Sequence, residues 1–413
     1  MKQWQRRILF TAWITYASFY LLRVNMSIAI PGIIKEFGIS KTSIGAVLTA
    51  LFFAYAIGQF INGQLGDKFG AKKIVAIGLL TSAIVNIVFG FTGNFLAGMI
   101  LLWGLNGFFQ AMGWAPIVKT VACWFPAKVR GRASGILGTS YIFGSAASWL
   151  LAGLIVGALG WRWAFWLPGL LCVGFVIYWL LRIKNSCEDA GFSPVEEVPK
   201  SKGVKDNIVS ILKNKEIWIV AFGLFGLNIV RYGFLDWAPT YFYEVQKASI
   251  SLSAYKALIF PVAGILGSLF AGRYSDRIAQ GKRALVAAIM LILLGVAALF
   301  FPHIPTGSWS LSLAVLAIIG FLTFGPHMLM VTALPMDLGT KERAASTAGF
   351  IDGWGYVGAA LTGVGTGLLL DNFSWNYAFY FWIAGAFIAA FFMFLLSRIN
   401  IKSLKYFEQQ KVQ

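Results

Sequence analysis

The sequence predicts an all-α membrane protein whose twelve transmembrane helices form two pseudo-symmetric six-helix bundles. Of its 413 residues, 58% are hydrophobic and only 12% are charged, whereas a soluble domain carries about 25% charged residues. Apolar stretches recur along the whole chain, each long enough to cross a hydrocarbon layer of roughly 30 Å. Their length and uniform apolarity favour helices over barrel strands, because a helix satisfies its own backbone hydrogen bonds in lipid.

The predicted spans follow one another with short polar connections, apart from one longer segment in the middle of the chain. The first six spans are 8–34, 43–66, 74–94, 95–123, 133–158 and 163–182. The second six are 217–241, 252–275, 284–302, 308–335, 345–369 and 376–397. The first span follows the basic segment MKQWQRR, but it is too long for the apolar region of a signal peptide, so we expect it to be retained.

The long polar segment at 183–216 separates two halves that repeat short motifs. We predict an N-terminal bundle at 1–182, a cytoplasmic linker at 183–216, and a C-terminal bundle with a short cytoplasmic tail at 217–413. Duplicated six-helix halves are typical of secondary transporters that bind substrate near the bilayer midplane. The repeated motifs are GQLGD at 63–67 with GRYSD at 272–276, RGRASG at 130–135 with KERAAS at 341–346, and WRWAF at 161–165 with WNYAF at 375–379.

The net charge of +18 indicates membrane topology rather than nucleic-acid binding. Of the 34 Lys and Arg residues, 26 fall on the side of the N-terminus, five fall on the opposite side and three lie within spans. This bias follows the positive-inside rule. It predicts a multi-pass protein of the inner cell membrane with both termini in the cytoplasm. The lipid bilayer is therefore the expected environment, with no nucleic-acid partner, and we expect a monomer.

The sequence contains no pattern typical of an enzyme, a metal site or a cofactor site. Its cysteines, Cys123, Cys172 and Cys187, have neither a disulfide framework nor metal-ligand spacing. No nucleotide-binding loop or nucleophile–base arrangement is recognisable. We therefore expect no catalytic residues, no metal, no cofactor and no ATP-driven step. The aromatic side chains are expected chiefly at lipid-facing and interfacial positions.

Two arginines lie just past the middle of the first and seventh predicted spans. Arg23 lies in FYLLRVNMSIAIP and Arg231 in NIVRYGFLDWAP, and a proline follows each one eight positions later. Inserting a central arginine into a bilayer costs roughly 2.5 kcal/mol or more, so such residues face a water-filled cavity or a partner. If the two halves are related by a pseudo-twofold axis, both guanidinium groups meet at one depth in one cavity.

This arginine pair predicts a binding site for a small anion. Two nearby cations repel each other, and an anion between them converts the repulsion into attraction. Guanidinium groups also match phosphate oxygens in a bidentate manner that lysine cannot reproduce. The alternative is that each arginine is neutralised by a protein carboxylate, Asp236 or Asp352.

Four further polar residues in or near spans are candidates for the site. Asp236 follows the second arginine by five positions, outside the usual i, i+4 pairing, and either orients that arginine or acts as its resting counter-ion. Asp352 is either a proton-coupling group or a salt-bridged or hydrogen-bonded acid. His327 either contacts substrate and shuttles a proton or is a packing residue. Lys119 lies a turn from the cytoplasmic end of its span, where snorkelling accounts for its charge.

One loop motif carries a resemblance to a known family. GQLGDKFGAKK at 63–73 resembles the G-x-L-x-D-x-x-G-x-K-K motif of the major facilitator superfamily, between its second and third helices, and GRYSDRIAQGKR at 272–283 echoes it. Within that superfamily the chain resembles the organophosphate:phosphate antiporter family, which includes bacterial glycerol-3-phosphate and hexose-phosphate transporters. The supporting segments are FYLLRVN at 19–25, AMGWAP at 111–116, RYGFLDWAPTY at 231–241 and GFLTFGPHML at 320–329.

The resemblance assigns expected roles to several residues. It implies that the two phosphate-binding arginines of the family correspond to Arg23 and Arg231. It also implies that Tyr16 and Tyr20, one and two turns before the first arginine, line the site. The fold it implies places helices 1, 4, 7 and 10 around the substrate cavity.

The chain also departs from the family pattern at several positions. Tyr141 stands where the glycerol-3-phosphate transporter has a histidine in helix 5, and Gln59 stands where that transporter has a lysine in helix 2. The lysine that often follows the first arginine is Val24 here. The family does carry a basic residue at the position of Lys119. Because the cavity has fewer positive groups, a less charged organic anion stays open as a substrate.

Charged residues at the predicted cytoplasmic helix ends are candidates for a gate. Asp67, Arg130 and Arg132 lie at the ends of helices 2 to 5, and Asp276 and Arg343 are their counterparts in the second half. Such charges can pair in the outward-facing state and separate in the inward-facing state. The alternative is topology plus surface salt bridges, each worth ~1 kcal/mol or less.

The expected function is secondary active transport of an organophosphate by alternating access, and the resemblance implies exchange for inorganic phosphate. The expected partners are thus a small anionic substrate and a coupling species, either phosphate or a proton. One alternative is a proton-coupled symporter of an organic anion such as a carboxylate, favoured by Asp352, His327 and the missing cavity lysines. Another is a sensor of sugar phosphate, since some family members signal in that way.

Overall fold

The computed structural model describes residues 1–193, 204–277, 282–338 and 344–410, and within these ranges it contains helices and no β-strand. The all-α membrane fold is therefore confirmed. The first half of the chain holds α1 (Lys2–Leu21), α2 (Asn25–Phe37), α3 (Lys41–Phe69), α4 (Ala71–Phe89), α5 (Leu96–Gln110), α6 (Trp114–Trp124), α7 (Ala127–Leu159) and α8 (Trp163–Arg182). The second half holds α9 (Val204–Lys213), α10 (Lys215–Glu244), α11 (Ile250–Ala257), α12 (Ile259–Arg277), α13 (Arg283–Phe300), α14 (Trp309–Met328), α15 (Leu334–Leu338), α16 (Ala344–Asn372) and α17 (Trp375–Gln410).

Eleven helical segments among the described residues are long and apolar enough to cross a membrane. The predicted span 345–369 forms the 29-residue helix α16, but this helix is not one of the eleven. Its seven glycines, between residues 349 and 367, make it less apolar than its neighbours. The count of twelve spans, and the domain boundaries at 183 and 217, stay predictions.

The first predicted span is not one continuous helix. It breaks at residues 22–24, between α1 and α2, and Arg23 lies in the break. By contrast, α10 runs without interruption from Lys215 to Glu244 and carries Arg231 near its middle. The two arginines are thus presented by differently built backbones. A helix break within a membrane is tolerated only where neighbouring groups satisfy the freed backbone atoms.

Buried amide side chains supply those partners at the break in the first span. Asn86 of α4 and Asn106 of α5 both donate to the carbonyl oxygen of Leu22, at 3.0 and 2.8 Å. Gln110 donates to the carbonyl oxygen of Phe19 at 3.0 Å. All three amides are buried. The break is therefore held by side chains of two other helices, which fixes the backbone beside Arg23.

The two halves of the chain contact each other closely at one end of the molecule. We call this the distal end, defined by the connections at 38–40, 245–249 and 373–374. Asp371 of α16 accepts hydrogen bonds from the backbone N–H of Lys41, at 3.1 Å, and of Thr42, at 2.7 Å, and from the Thr42 hydroxyl, at 2.6 Å. Lys41 also forms an ion pair with Glu244 of α10, with an N···O distance of 2.9 Å.

Glycines permit this close approach of α3 and α16. A side chain at Gly45 would collide with the backbone of Gly363, and a side chain at Gly367 would collide with the backbone of Lys41. Between these contacts, the Thr49 hydroxyl donates to the carbonyl oxygen of Ala360 at 2.5 Å. Small residues at helix–helix contacts allow backbones to approach in this way.

The expected placement of the aromatic side chains at lipid-facing and interfacial positions was wrong for six of the sixteen tryptophans. Six tryptophans are almost fully buried, each less than 2% exposed: Trp103, Trp124, Trp149, Trp179, Trp237 and Trp382. Several of them use the indole N–H to satisfy polar groups between helices; Trp149, for example, donates to the Ser27 hydroxyl at 2.7 Å. Large rings with one donor therefore fill the space between helices here.

Candidate functional site

Arg23 lies within a shell of aromatic rings drawn from four helices, α1, α3, α10 and α16. Only 5% of the residue is exposed. One terminal nitrogen, Nη2, donates to the hydroxyl of Tyr232 in α10 at 3.0 Å, which links the first half of the chain to the second. The guanidinium carbon lies 4.5 Å from the ring centroid of Tyr55, 5.1 Å from Tyr356, 5.5 Å from Tyr20, 5.6 Å from Phe52 and 5.8 Å from Tyr232.

Arg231 lies against a second set of rings, and only 2% of it is exposed. Its guanidinium carbon is 4.8 Å from the ring centroid of Tyr232, 5.3 Å from Phe324 and 5.7 Å from Tyr141. Both guanidinium groups therefore lie close to the Tyr232 ring. Contacts between a cation and an aromatic face stabilise a charge that has lost its water.

In the part of the chain that the structure describes, neither guanidinium group has a carboxylate oxygen within 4.0 Å. The predicted alternative, neutralisation by Asp236 or Asp352, is thus not seen as a contact. The hydrogen-bonding faces of the two guanidinium groups are therefore not taken up by carboxylates of the described residues.

The donors of the two arginines are left largely unused. The Nε atoms of Arg23 and Arg231 are buried without a hydrogen-bond partner among the described residues. A buried donor without an acceptor is unfavourable by about 1–3 kcal/mol. An incoming anion would supply the missing acceptors.

Other predicted binding residues lie around this arginine pair. Gln59 donates from Nε2 to Asp352 Oδ2 at 3.4 Å, and this contact joins α3 to α16. The hydroxyl of Tyr141 in α7 lies 3.2 Å from Nδ1 of His327 in α14. These contacts, like the one between Arg23 and Tyr232, cross from one half of the chain to the other.

The two tyrosines that the resemblance identifies lie next to each other, and the ring of Tyr20 contacts Arg23. Tyr16 and Tyr20 are both buried, with ring centroids 5.8 Å apart. Tyr20 lies 6.2 Å from Tyr141, and Tyr16 lies 4.7 Å from Trp114. They form one wall of the aromatic cluster.

Lys119 differs from the other predicted binding residues because it is exposed, on α6. The gate predictions fall on Asp67, Arg130, Arg132, Asp276 and Arg343. These side chains lie outside the part of the chain that the structure describes.

Sequence reasoning missed five aromatic residues of the cluster. One signal was available for Tyr232, which directly follows Arg231. For the other four residues, no local sequence pattern distinguishes a ring that contacts an arginine from a ring that contacts lipid. The five residues are Phe52, Tyr55, Tyr232, Phe324 and Tyr356.

The fold and this site define the class of the protein as an α-helical membrane transporter with a buried cationic centre between two halves of the chain. The sequence model described as Major Facilitator Superfamily matches residues 9–363. The chain belongs to the major facilitator superfamily, and within it to the organophosphate:phosphate antiporter family. Members of the superfamily are transporters, so this chain is a transport protein and not an enzyme.

Three similar proteins illustrate this relationship. The glycerol-3-phosphate transporter of Bacillus subtilis is 31% identical over 415 residues, covering 95% of this chain and 92% of the relative. A probable hexose phosphate transport protein of Chlamydia pneumoniae is 28% identical, covering 94% and 90%. The solved structure of a bacterial homolog of the human lysosomal transporter Spinster, inward-facing and unoccupied, aligns with a TM-score of 0.78 over 97% of this chain and 98% of that chain. At 15% identity, that likeness shows the fold alone.

Proposed function

We propose that this chain carries a small organophosphate, such as glycerol-3-phosphate or a sugar phosphate, across the inner cell membrane by alternating access. Inorganic phosphate is the exchanged ion. The observation that carries the proposal is the pair Arg23 and Arg231, contributed by the two halves. Both are buried beside one tyrosine ring, and no carboxylate of the described residues contacts either of them directly. The printed functions of the bacterial relatives support the same substrate class.

The energetics favour an anion with several oxygens. At an effective dielectric constant of about 20, each pair of opposite unit charges 4 Å apart contributes about 4 kcal/mol before desolvation. Two guanidinium groups present planar sets of N–H donors, and these match a phosphate better than they match a single carboxylate.

The remaining residues of the cluster take supporting roles in this proposal. Tyr16, Tyr20 and Tyr141 line the cavity, and Gln59 with Asp352 offers an amide and a carboxylate to the hydroxyl groups of the substrate. Asp236 and Asp352 are the counter-ions that balance the arginines in the empty protein.

Alternating access supplies the rest of the mechanism. Bound anion lowers the repulsion between the arginine-bearing halves, so the two bundles, 1–182 and 217–413, rock around the filled site. Asp67, Arg130, Arg132, Asp276 and Arg343 form the gate on the cytoplasmic side, where both termini and the linker 183–216 also lie. The transporter functions as a monomer.

A specific observation supports a second candidate, a proton-coupled symporter of an organic anion. Asp352 contacts Gln59, and His327 contacts Tyr141, whose ring lies beside Arg231; carboxyl and imidazole groups are the side chains that carry protons in membrane proteins. Protonation of either group would change the net charge of the site.

Transport into liposomes distinguishes these functions. Purified protein in liposomes loaded with inorganic phosphate should take up labelled glycerol-3-phosphate or glucose-6-phosphate without a pH gradient, and empty liposomes should not. Uptake that requires a proton gradient and no internal phosphate would establish the symporter instead. Binding of the sugar phosphate without flux would establish a sensor.

A further inference from the structure

Tyr232 occupies a position in the site that no other described residue shares. It follows Arg231 on α10 and is 1% exposed. Its ring lies within 5.8 Å of the guanidinium carbon of Arg23 and within 4.8 Å of that of Arg231. Among the described residues, it is the one aromatic ring that lies near both arginines.

The ring and the hydroxyl of this tyrosine serve different arginines. The ring lies under the guanidinium group of Arg231 and packs on Phe52 of α3, with centroids 4.4 Å apart. The hydroxyl oxygen accepts a hydrogen bond from Arg23 Nη2 at 3.0 Å, and the hydroxyl proton is directed to Tyr356 at 3.4 Å. One residue thus holds the two cations, and the two halves, in a fixed relation.

We propose that Tyr232 is a positioning residue, which holds Arg23 beside Arg231 in the empty site and whose hydroxyl oxygen stands where a phosphate oxygen binds. This inference rests on the proposed function, because it concerns how that site is prepared for phosphate. Without the hydroxyl, the buried Arg23 would lose its hydrogen bond across the halves, and repulsion from Arg231 would favour other rotamers.

The chemistry of the hydroxyl suits a temporary partner. A neutral phenol oxygen satisfies one N–H of Arg23, but hydrogen bonds between two charged groups are roughly twice as strong as neutral ones. Phosphate therefore displaces the hydroxyl, which is then free to donate its own proton to a phosphate oxygen. Because Arg23 is already ordered, less conformational entropy is lost on binding.

The substitution Tyr232→Phe isolates the hydroxyl, since the phenyl ring retains its packing on Phe52 and under Arg231. Calorimetric titration of the purified protein with inorganic phosphate, and separately with glycerol-3-phosphate, should show the Kd of both ligands raised by about tenfold. The control is Tyr241→Phe, which removes a hydroxyl from the same helix in a ring that packs on Phe301 and Trp375, away from the arginines. Its Kd should match that of the unmodified protein.

A second measurement keeps the inference testable if Tyr232→Phe folds poorly. 3-Fluorotyrosine placed at position 232 reports the hydroxyl by ¹⁹F NMR. Its resonance should move as phosphate is added, and saturate at the calorimetric Kd. It should also differ in the empty Arg23→Lys variant, where the hydrogen bond is changed. A tyrosine with a purely structural role would not show the saturable response to phosphate.

The possible failures are distinct. If the unmodified protein binds neither phosphate nor an organophosphate, the proposed function is wrong. In two other outcomes the unmodified protein binds these ligands, but the Kd of Tyr232→Phe stays within twofold of the unmodified value, or the fluorine resonance at position 232 does not move on addition of phosphate. Either result overturns only the role of Tyr232.

Discussion

Arg23 and Arg231 illustrate how two like charges are kept in an apolar interior without a direct carboxylate partner among the described residues. Aromatic rings surround both guanidinium groups. A buried ion pair would have stabilised the empty site, but its carboxylate would compete with the substrate. The arrangement present here leaves the donors available to an anion.

At the residue scale, Arg23→Lys and Arg231→Lys should each reduce exchange of glycerol-3-phosphate for phosphate by roughly 10- to 100-fold, because lysine keeps the charge but loses the bidentate hydrogen bonds. The measurement is the initial rate of uptake into phosphate-loaded liposomes. Arg162→Lys is the matched control, since Arg162 pairs with Glu36 at 2.7 Å at the exposed distal end. Unchanged transport in either site variant would exclude binding of the substrate anion by the arginine pair.

At the scale of elements, the break between α1 and α2 and the unbroken α10 show that the internal repeat is approximate. The side-chain amides of Asn86 and Asn106 donate hydrogen bonds to the carbonyl oxygen of Leu22. The break is therefore stabilised by the packing of the neighbouring helices. Discontinuous helices at membrane depth recur in transporters at their substrate sites. Here the break releases Arg23 from regular helical geometry, while Arg231 stays on a rigid helix.

The contact between α16 and the N-terminus of α3 joins the two halves of the chain at the distal end. The carboxylate of Asp371 bonds the exposed backbone N–H groups in the first turn of α3, an interaction worth about 1 kcal/mol at a helix N-terminus. We call the protein distal-closed when the two halves are in contact at the distal end, and distal-open when they are separated there. In Asp371→Asn we expect the ratio of distal-open to distal-closed protein to rise about fivefold. Asp189→Asn, at an exposed position in the linker, is the control.

Spin labels at residues 94 and 373, both exposed near the distal end, can measure this change by pulsed electron paramagnetic resonance. The long-distance population should grow in Asp371→Asn and stay constant in the control. An unaltered distance distribution would mean that the glycine contacts alone hold the distal end closed.

At the scale of the whole molecule, contacts between the halves run from the distal end to the arginine pair: Asp371 with Thr42, Thr49 with Ala360, and then Arg23 with Tyr232. A ligand bound at the last of these contacts interacts with both halves at once. Its binding free energy is therefore available to change how the halves associate.

A ligand bound between two halves should stabilise the folded protein as a whole. At a phosphate or glycerol-3-phosphate concentration 100 times the Kd, the expected stabilisation is about 2.7 kcal/mol. It should appear as a rise in melting temperature that a dicarboxylate such as malonate does not produce. The Arg23→Lys, Arg231→Lys double variant should lose the response. A larger rise with malonate than with phosphate would favour the symporter of organic anions.

Much of the fold and part of the site were predictable because they depend on local composition. Apolar stretches identified the helices, and an arginine in an apolar stretch is conspicuous whatever it contacts. The aromatic partners were not predictable in the same way. Tyr55, Phe324 and Tyr356 lie on three helices that are far apart in the sequence. Tyrosine and phenylalanine also occur at lipid-facing positions, so the residue type alone does not identify a ring that contacts an arginine.

The sequence by itself determined that this protein is a helical membrane transporter of its family, with Arg23 and Arg231 near the middle of their spans. Hydrophobicity and charge act residue by residue, so they can be read from the chain alone. Only the tertiary structure decided that the first span breaks at Arg23, that neither arginine touches a described carboxylate, and that Tyr232 lies between them. These features arise from distances between side chains far apart in sequence, which are set when the helices pack together.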